Sequence, residues 1–137
     1  ARMASEHLVE QVTRLMATLN RTASEIMTRF DIHACTDITG FGLLGHLAEM
    51  VDGSGRSVTL EAHRVPVLPE AEDFAAMGLI PAGAHKNREF RRSMVVFDPR
   101  VPLALQDIFF DPQTSGGLLI SAPSAHAMPL LRGRPPR

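Results

Sequence analysis

The run Thr36-Asp37-Ile38-Thr39-Gly40-Phe41-Gly42-Leu43-Leu44-Gly45-His46 sets a carboxylate at the end of a short β-forming stretch, just ahead of glycines that open a helix. Chemistry that suits such a spot is the handling of a phosphate or a metal-phosphate complex. Glycines let the backbone approach closely, unpaired N–H groups at a helix N-terminus attract an anion, and a carboxylate can hold the accompanying magnesium. Asp37 alone cannot complete that site, because magnesium needs further oxygens. The plain alternative is that Asp37 or Thr39 caps the helix while the glycines make a tight turn. A second polar run, Asp111-Pro112-Gln113-Thr114-Ser115-Gly116-Gly117, offers an amide, two hydroxyls and a pliable backbone. That composition fits anion binding or an ordinary turn, and taken alone it favours the turn.

Two other patterns compete for the same residues. Gly40-Phe41-Gly42-Leu43-Leu44-Gly45 satisfies G-x-G-x-x-G. A dinucleotide fingerprint, however, follows a strongly apolar strand and leads about 20 residues on to an acid that binds ribose. Here the preceding strand is polar at its end and Glu61 comes early, so the match reads as a decoy. His33, Cys35 and Asp37 alternate, so a strand would point them to one face as part of a transition-metal site. Such sites draw ligands from separated segments, and Cys35 reads as a small buried residue, His46 as a structural one.

Composition narrows the classes. The chain has 137 residues, 45% of them hydrophobic, enough for one ordinary core. Charged residues make up 21% and the formal net charge is -1, which gives no basic surplus for nucleic acid. Trp and Tyr are absent, which removes the usual stacking platforms for bases. No apolar run approaches the roughly 20 residues that span a bilayer, so no membrane is expected. The single cysteine excludes an internal disulfide and favours a reducing, cytoplasmic setting.

The elements that must position these residues follow from periodicity. Leu8, Val12, Leu15, Met16, Leu19, Ala23, Ile26, Met27 and Phe30 predict one long amphipathic helix. A buried strand ends near Asp37, and a second helix runs from about Phe41 to Val51, stopped by Asp52-Gly53-Ser54-Gly55. Ser57–Glu61 alternates like a strand, Glu70–Met77 reads as a short helix stopped by Gly78, and Leu79–Ala84 as loop. The stretch Lys86–Arg92 is polar and basic. Val101–Phe110 reads as helix, Leu118–Ala122 as a buried strand, and Pro123 starts a last helix through Leu131. The mixture predicts an α+β fold of mixed layers, a β-sheet flanked by helices, in one domain over residues 1–131. The tail 132–137 is expected to be disordered or truncated.

Read together, Ala34–Leu47 and Asp111–Leu119 closely resemble the selenophosphate synthetases (selenide, water dikinases), and the resemblance runs from the first helix to about Ala122. That family belongs to a wider ATP-using superfamily with aminoimidazole ribonucleotide synthetase, thiamine-monophosphate kinase and a hydrogenase maturation protein. The resemblance implies the C-terminal domain of a two-domain, usually dimeric enzyme that turns ATP, selenide and water into selenophosphate, AMP and phosphate with magnesium. It places the catalytic cysteine or selenocysteine, its lysine and most metal-binding aspartates in an N-terminal ATP-binding domain that this chain lacks. No residue here is therefore assigned as catalytic, and Cys35 is not promoted to that role. The metal-binding acid of the resembling motif falls on Asp37. Thr36, Thr39, Gly40, Gly42, Gln113, Thr114, Ser115 and Gly116 are the expected phosphate or nucleotide contacts. Ala82-Gly83-Ala84-His85-Lys86-Asn87 departs from the Gly-Gly-Thr that relatives commonly carry, so a hydroxyl is missing there.

The expectation is an enzyme fragment that contributes to a shared ATP-magnesium site, is inactive alone, and partners the N-terminal domain within a homodimeric enzyme. The alternatives are a non-catalytic interaction or scaffold domain of the same fold, or a fragment of a neighbouring ATP-dependent enzyme with another phosphate acceptor.

Overall fold

A computed structural model describes residues 3–133. The chain forms two compact units: one comprises the chain up to Ile38 and from Ser115 onward, the other is Thr39–Thr114.

The first unit opens with α1 (Glu6–Ala17), whose start is fixed by Ser5: its hydroxyl accepts the Leu8 N–H at 3.1 Å, and Glu6 adds a negative charge in the first turn. The single long helix expected here is two helices, because Thr18 turns extended (φ -76°, ψ 122°) and α2 (Arg21–Met27) starts afresh. β-branched Thr18 and Asn20 are poor helix formers, and the Thr18 hydroxyl takes the Arg14 carbonyl instead. β1 (Ala34–Asp37) pairs antiparallel with β2 (Leu118–Ser121), with Cys35 opposite Ile120 and Asp37 opposite Leu118. The expected buried β1 is largely exposed; only Thr36 in it is half-buried, and Cys35 is exposed, not buried. After α7 (Ser124–Leu131), Gly133 lies against Ile26. Leu8, Phe30 and Ile38 are buried, and His126 meets the Phe30 ring edge-on at 6.1 Å.

The second unit holds α3 (Gly42–Ser54), α4 (Pro69–Ala76), α5 (Ala82–Arg91) and α6 (Leu103–Ile108). Its core is Leu44, Ala84, Phe109 and Phe110, with Leu47, Val95, Phe97 and Leu105 packed round them. Fully burying a Leu or Phe side chain, as at Leu44, Phe109 and Phe110, contributes about 2 kcal/mol each. Three expectations change. α3 continues through Gly53 and ends at Gly55, whose left-handed φ of 62° terminates it. Ser57–Glu61 is not a strand: Val58 is 55% exposed, and a single 3-10 turn, Ala62–Arg64, follows. The loop expected over Leu79–Ala84 gives way at Ala82 to α5, which continues through the basic stretch and packs on α3 and α6.

Among the described residues, seven α-helices and a two-stranded antiparallel sheet make this a mixed α+β chain. Among the described residues the sheet has no parallel strand pair, which removes the dinucleotide fold that G-x-G-x-x-G suggested. Of the expected tail, 134–137 lie outside the described residues.

Candidate functional site

The two motifs are each divided between the units: Thr36, Asp37, Ser115 and Gly116 belong to the first, Thr39, Gly40, Gly42, Gln113 and Thr114 to the second.

In the first unit, Asp37 ends β1 exposed, its carboxylate unpaired by any cation among the described residues. Beyond it, the Ile38 N–H donates to the Gly117 carbonyl and the Gly116 N–H to the Ile38 carbonyl, both at 2.9 Å, so the loop is pinned to the strand exit. Ser115 sits at φ 54°, a left-handed conformation that costs a non-glycine residue about 1 kcal/mol, and Gly117 at φ 93° needs to be glycine. Partial desolvation, and after it the neighbouring Asp37 carboxylate, push the Cys35 thiol above its usual range. A thiol held protonated is a poor nucleophile and metal ligand. His33, Cys35 and Asp37 form no metal-binding group among the described residues.

In the second unit, neither Thr39 nor Asp37 caps α3: Phe41 stands at the cap position with no side-chain hydrogen bond there. The turn is held by backbone instead. The Gly42 N–H donates to Thr39 at 3.0 Å, the Leu44 N–H to Phe109 at 3.0 Å, and the Gln113 N–H to Thr39 at 3.0 Å. Gly42, at φ 71°, lies so close to the next segment that a Cβ there would stand 2.7 Å from the Phe110 carbonyl carbon. Its freedom is thus spent on packing against Phe110 and Asp111, and two of the helix's first N–H groups, those of Gly42 and Leu44, are already taken. Gly40 is the opposite case: exposed, with open space where a Cβ would stand. It is the position where another molecule can approach the backbone.

Sequence reasoning missed two residues that build this turn. Asn87, on α5, donates its amide to the Gly40 carbonyl at 2.9 Å and the Phe110 carbonyl at 3.0 Å, tying the glycine turn to the start of the second motif. Its signal was an uncharged amide in a stretch otherwise read as polar and basic. Asp111 is half-buried; burial pushes its carboxyl up, and the Gln113 amide, which donates to it, draws it down. Gln113 is thereby engaged within the chain, while Thr114 is exposed.

What the arrangement can do is limited and specific. The first unit presents an exposed carboxylate, Asp37, and the second an open glycine backbone, Gly40, each beside a turn held by backbone hydrogen bonds. Asp37 fits as a single oxygen ligand to magnesium; the remaining oxygens must be water, phosphate or other protein groups.

Residues 3–132 match the family described as AIR synthase related protein, C-terminal domain. Three similar proteins bear the name selenide, water dikinase. That of Pelobacter propionicus is 55% identical over 121 residues, covering 88% of this chain and 35% of that protein. That of Treponema denticola is 48% identical over 130 residues, 95% and 36% of the two chains, and that of Clostridium botulinum (strain Alaska E43) 42% over 131 residues, 96% and 38%. The chain thus spans little more than a third of the length of these relatives. A match along nearly its whole described length, on a mixed α+β framework whose strand exit and glycine turn carry the two motifs, shows that the chain belongs to the AIR synthase related C-terminal domain family.

Proposed function

We propose that this chain is the C-terminal domain, residues 1–131, of a selenide, water dikinase, the enzyme that converts ATP, selenide and water to selenophosphate, AMP and phosphate. The observation that carries the reading is the 42–55% identity, along 88–96% of the chain, to proteins of that name. The structure supports a contributing role. Asp37 is the magnesium ligand, Gly40 gives the nucleotide's phosphates access to the backbone, and Thr36, Thr114, Ser115 and Gly116 are further phosphate or nucleotide contacts. Thr39, Gly42 and Gln113 hold the turn that presents Gly40.

The reaction needs in-line positioning of ATP and neutralisation of its developing charge, a task for several cationic and metal-bound groups together. A lone carboxylate and a glycine turn do not meet that need, so this domain works with an N-terminal partner domain, in a homodimeric cytoplasmic enzyme, and is inactive alone. No helix among the described residues is long and apolar enough to cross a membrane.

Calorimetry of ATP with magnesium tests the reading, using this chain alone and then mixed with the remaining N-terminal portion of the Pelobacter propionicus relative. Binding that appears in the mixture and weakens in Asp37→Asn is the expected result. Two folded partners that bind no ATP together would overturn it.

A further inference from the structure

Asn87 is half-buried on α5 and turns its side-chain amide to two backbone carbonyls, Gly40 at 2.9 Å and Phe110 at 3.0 Å. Both partners are acceptors, so the group that faces them is the NH2 and not the amide oxygen, and both of its N–H bonds are engaged. No titratable group takes part, and every atom of the clamp belongs to the second unit.

The clamp decides which way a peptide unit faces. Peptide units are planar and, throughout the described residues, trans, so a carbonyl and the N–H of the next residue point in opposite directions. Holding the Gly40 carbonyl toward α5 therefore turns the Phe41 N–H away from it. The preceding unit is held in the same manner: the Thr39 carbonyl accepts the Gly42 and Gln113 N–H groups at 3.0 Å each, which faces the Gly40 N–H away from both. Neither the Gly40 nor the Phe41 N–H donates to any backbone group among the described residues. Gly40 is exposed, with open space where a Cβ would stand, so no side chain of its own screens them. A glycine left unclamped would let the Gly40–Phe41 peptide turn over, because its backbone populates either sense.

We infer that Asn87 is a positioning residue for nucleotide binding: its amide fixes the sense of the Gly40–Phe41 peptide, so that the Phe41 N–H is offered to an unprotonated phosphate oxygen. The inference rests on the magnesium-ATP reading for its ligand, whereas the sense of the peptide follows from the geometry alone. It brings α5 back to the phosphates. The hydroxyl missing from Ala82-Gly83-Ala84 is not what this helix supplies; it supplies an amide that acts one step behind the contact.

Nitrogen-15 NMR of the 137-residue chain reads the two amides. In the wild type, Gly40 and Phe41 should exchange their N–H with solvent fast and Gly42 slowly, and millimolar inorganic phosphate should shift the Phe41 signal. A Phe41 N–H as protected as that of Gly42 would overturn the assigned sense of the peptide. Asn87→Asp keeps the shape of the side chain but has no N–H to give, so the peptide should turn over, slowing Phe41 exchange and removing the phosphate shift. Unchanged exchange and an unchanged shift in that variant would overturn the part given to Asn87. In the mixture with the N-terminal portion, Asn87→Ala should weaken magnesium-ATP binding about tenfold. Leu105→Ala, which loosens the same core from α6, should leave that affinity unchanged, and equal weakening in both variants would reduce Asn87 to a structural residue and overturn the inference. A mixture that binds no ATP while phosphate still shifts Phe41 in the chain would remove the dikinase reading and leave Asn87 its role toward a phosphate. ATP binding that is as tight in Asn87→Ala as in the wild type would do the reverse.

Discussion

Gly40 and Gly42 are two residues apart and have opposite jobs. Gly42 combines a positive φ with backbone atoms under 3 Å from where a Cβ would go, so Gly42→Ala should destabilise the chain by about 3 kcal/mol, visible in urea melts. Gly40 has neither constraint, so Gly40→Ala should leave stability within about 0.5 kcal/mol and act only on ligand affinity. Loss of ATP binding in the mixture with no change in melting would locate the nucleotide at that backbone. Ser115 gives a third test: glycine relieves its left-handed strain, and Ser115→Gly should raise stability by up to about 1 kcal/mol. Asp111 sets a pH dependence. Its carboxyl is raised by burial, so between the ordinary aspartate value of about 3.9 and the raised one the folded state binds more protons than the unfolded. Stability from this group therefore falls as pH rises through that window. Asp111→Asn should flatten the slope, as melts from about pH 3 to pH 7 would show.

At the scale of elements, α5 explains what could and could not be read from the residues. Its inward positions include Ala84, Asn87, Arg88 and Arg91, which serve by packing, amide donation and ion pairing: Arg88 pairs with Asp107, Arg91 with Glu49. A helix whose inner face is polar leaves no apolar period, and Pro81 before it supplies no capping side chain. Its first residues, Ala82–Ala84, therefore read as loop, and Lys86–Arg92 as a polar, basic stretch with no element assigned. α3 was legible because Leu44, Leu47 and Ala48 carry its inner face in apolar side chains, yet its end was misplaced, since Gly53 tolerates helical backbone and only Gly55 leaves it. Ser57–Glu61 alternates correctly, but a strand needs a partner's N–H and C=O groups, which sequence alternation cannot supply. The candidate site divides in the same way. Asp37 and the glycines were visible as residue types, whereas the Asn87 amide that donates to the Gly40 carbonyl and the Leu118 strand partner of Asp37 lie tens of residues away. Asn87→Ala tests that division: losing two amide bonds and leaving the Phe110 carbonyl unpaired should cost about 2 kcal/mol, whereas a loop residue would cost nothing measurable.

At the scale of the molecule, the family match runs through both compact units, and each long motif changes unit partway: the first between Ile38 and Thr39, the second between Thr114 and Ser115. The carboxylate and the strained loop thus ride on one unit, the open glycine on the other. The terminal residues of the second unit meet within it, for the Gln113 N–H reaches the Thr39 carbonyl at 3.0 Å. In the first unit the cut ends meet as well, the Gly116 N–H reaching Ile38 at 2.9 Å. Residues 39–114 are in effect a cassette spliced into a host whose edges already touch. A cassette with adjoining ends can be lifted out, or re-entered at a new point in its circle, with little penalty in closure entropy. Evolution could exchange or resize it while the host's β1–β2 ribbon keeps its register, and a host bridged by a few glycines between Ile38 and Ser115 should still pair Asp37 with Leu118.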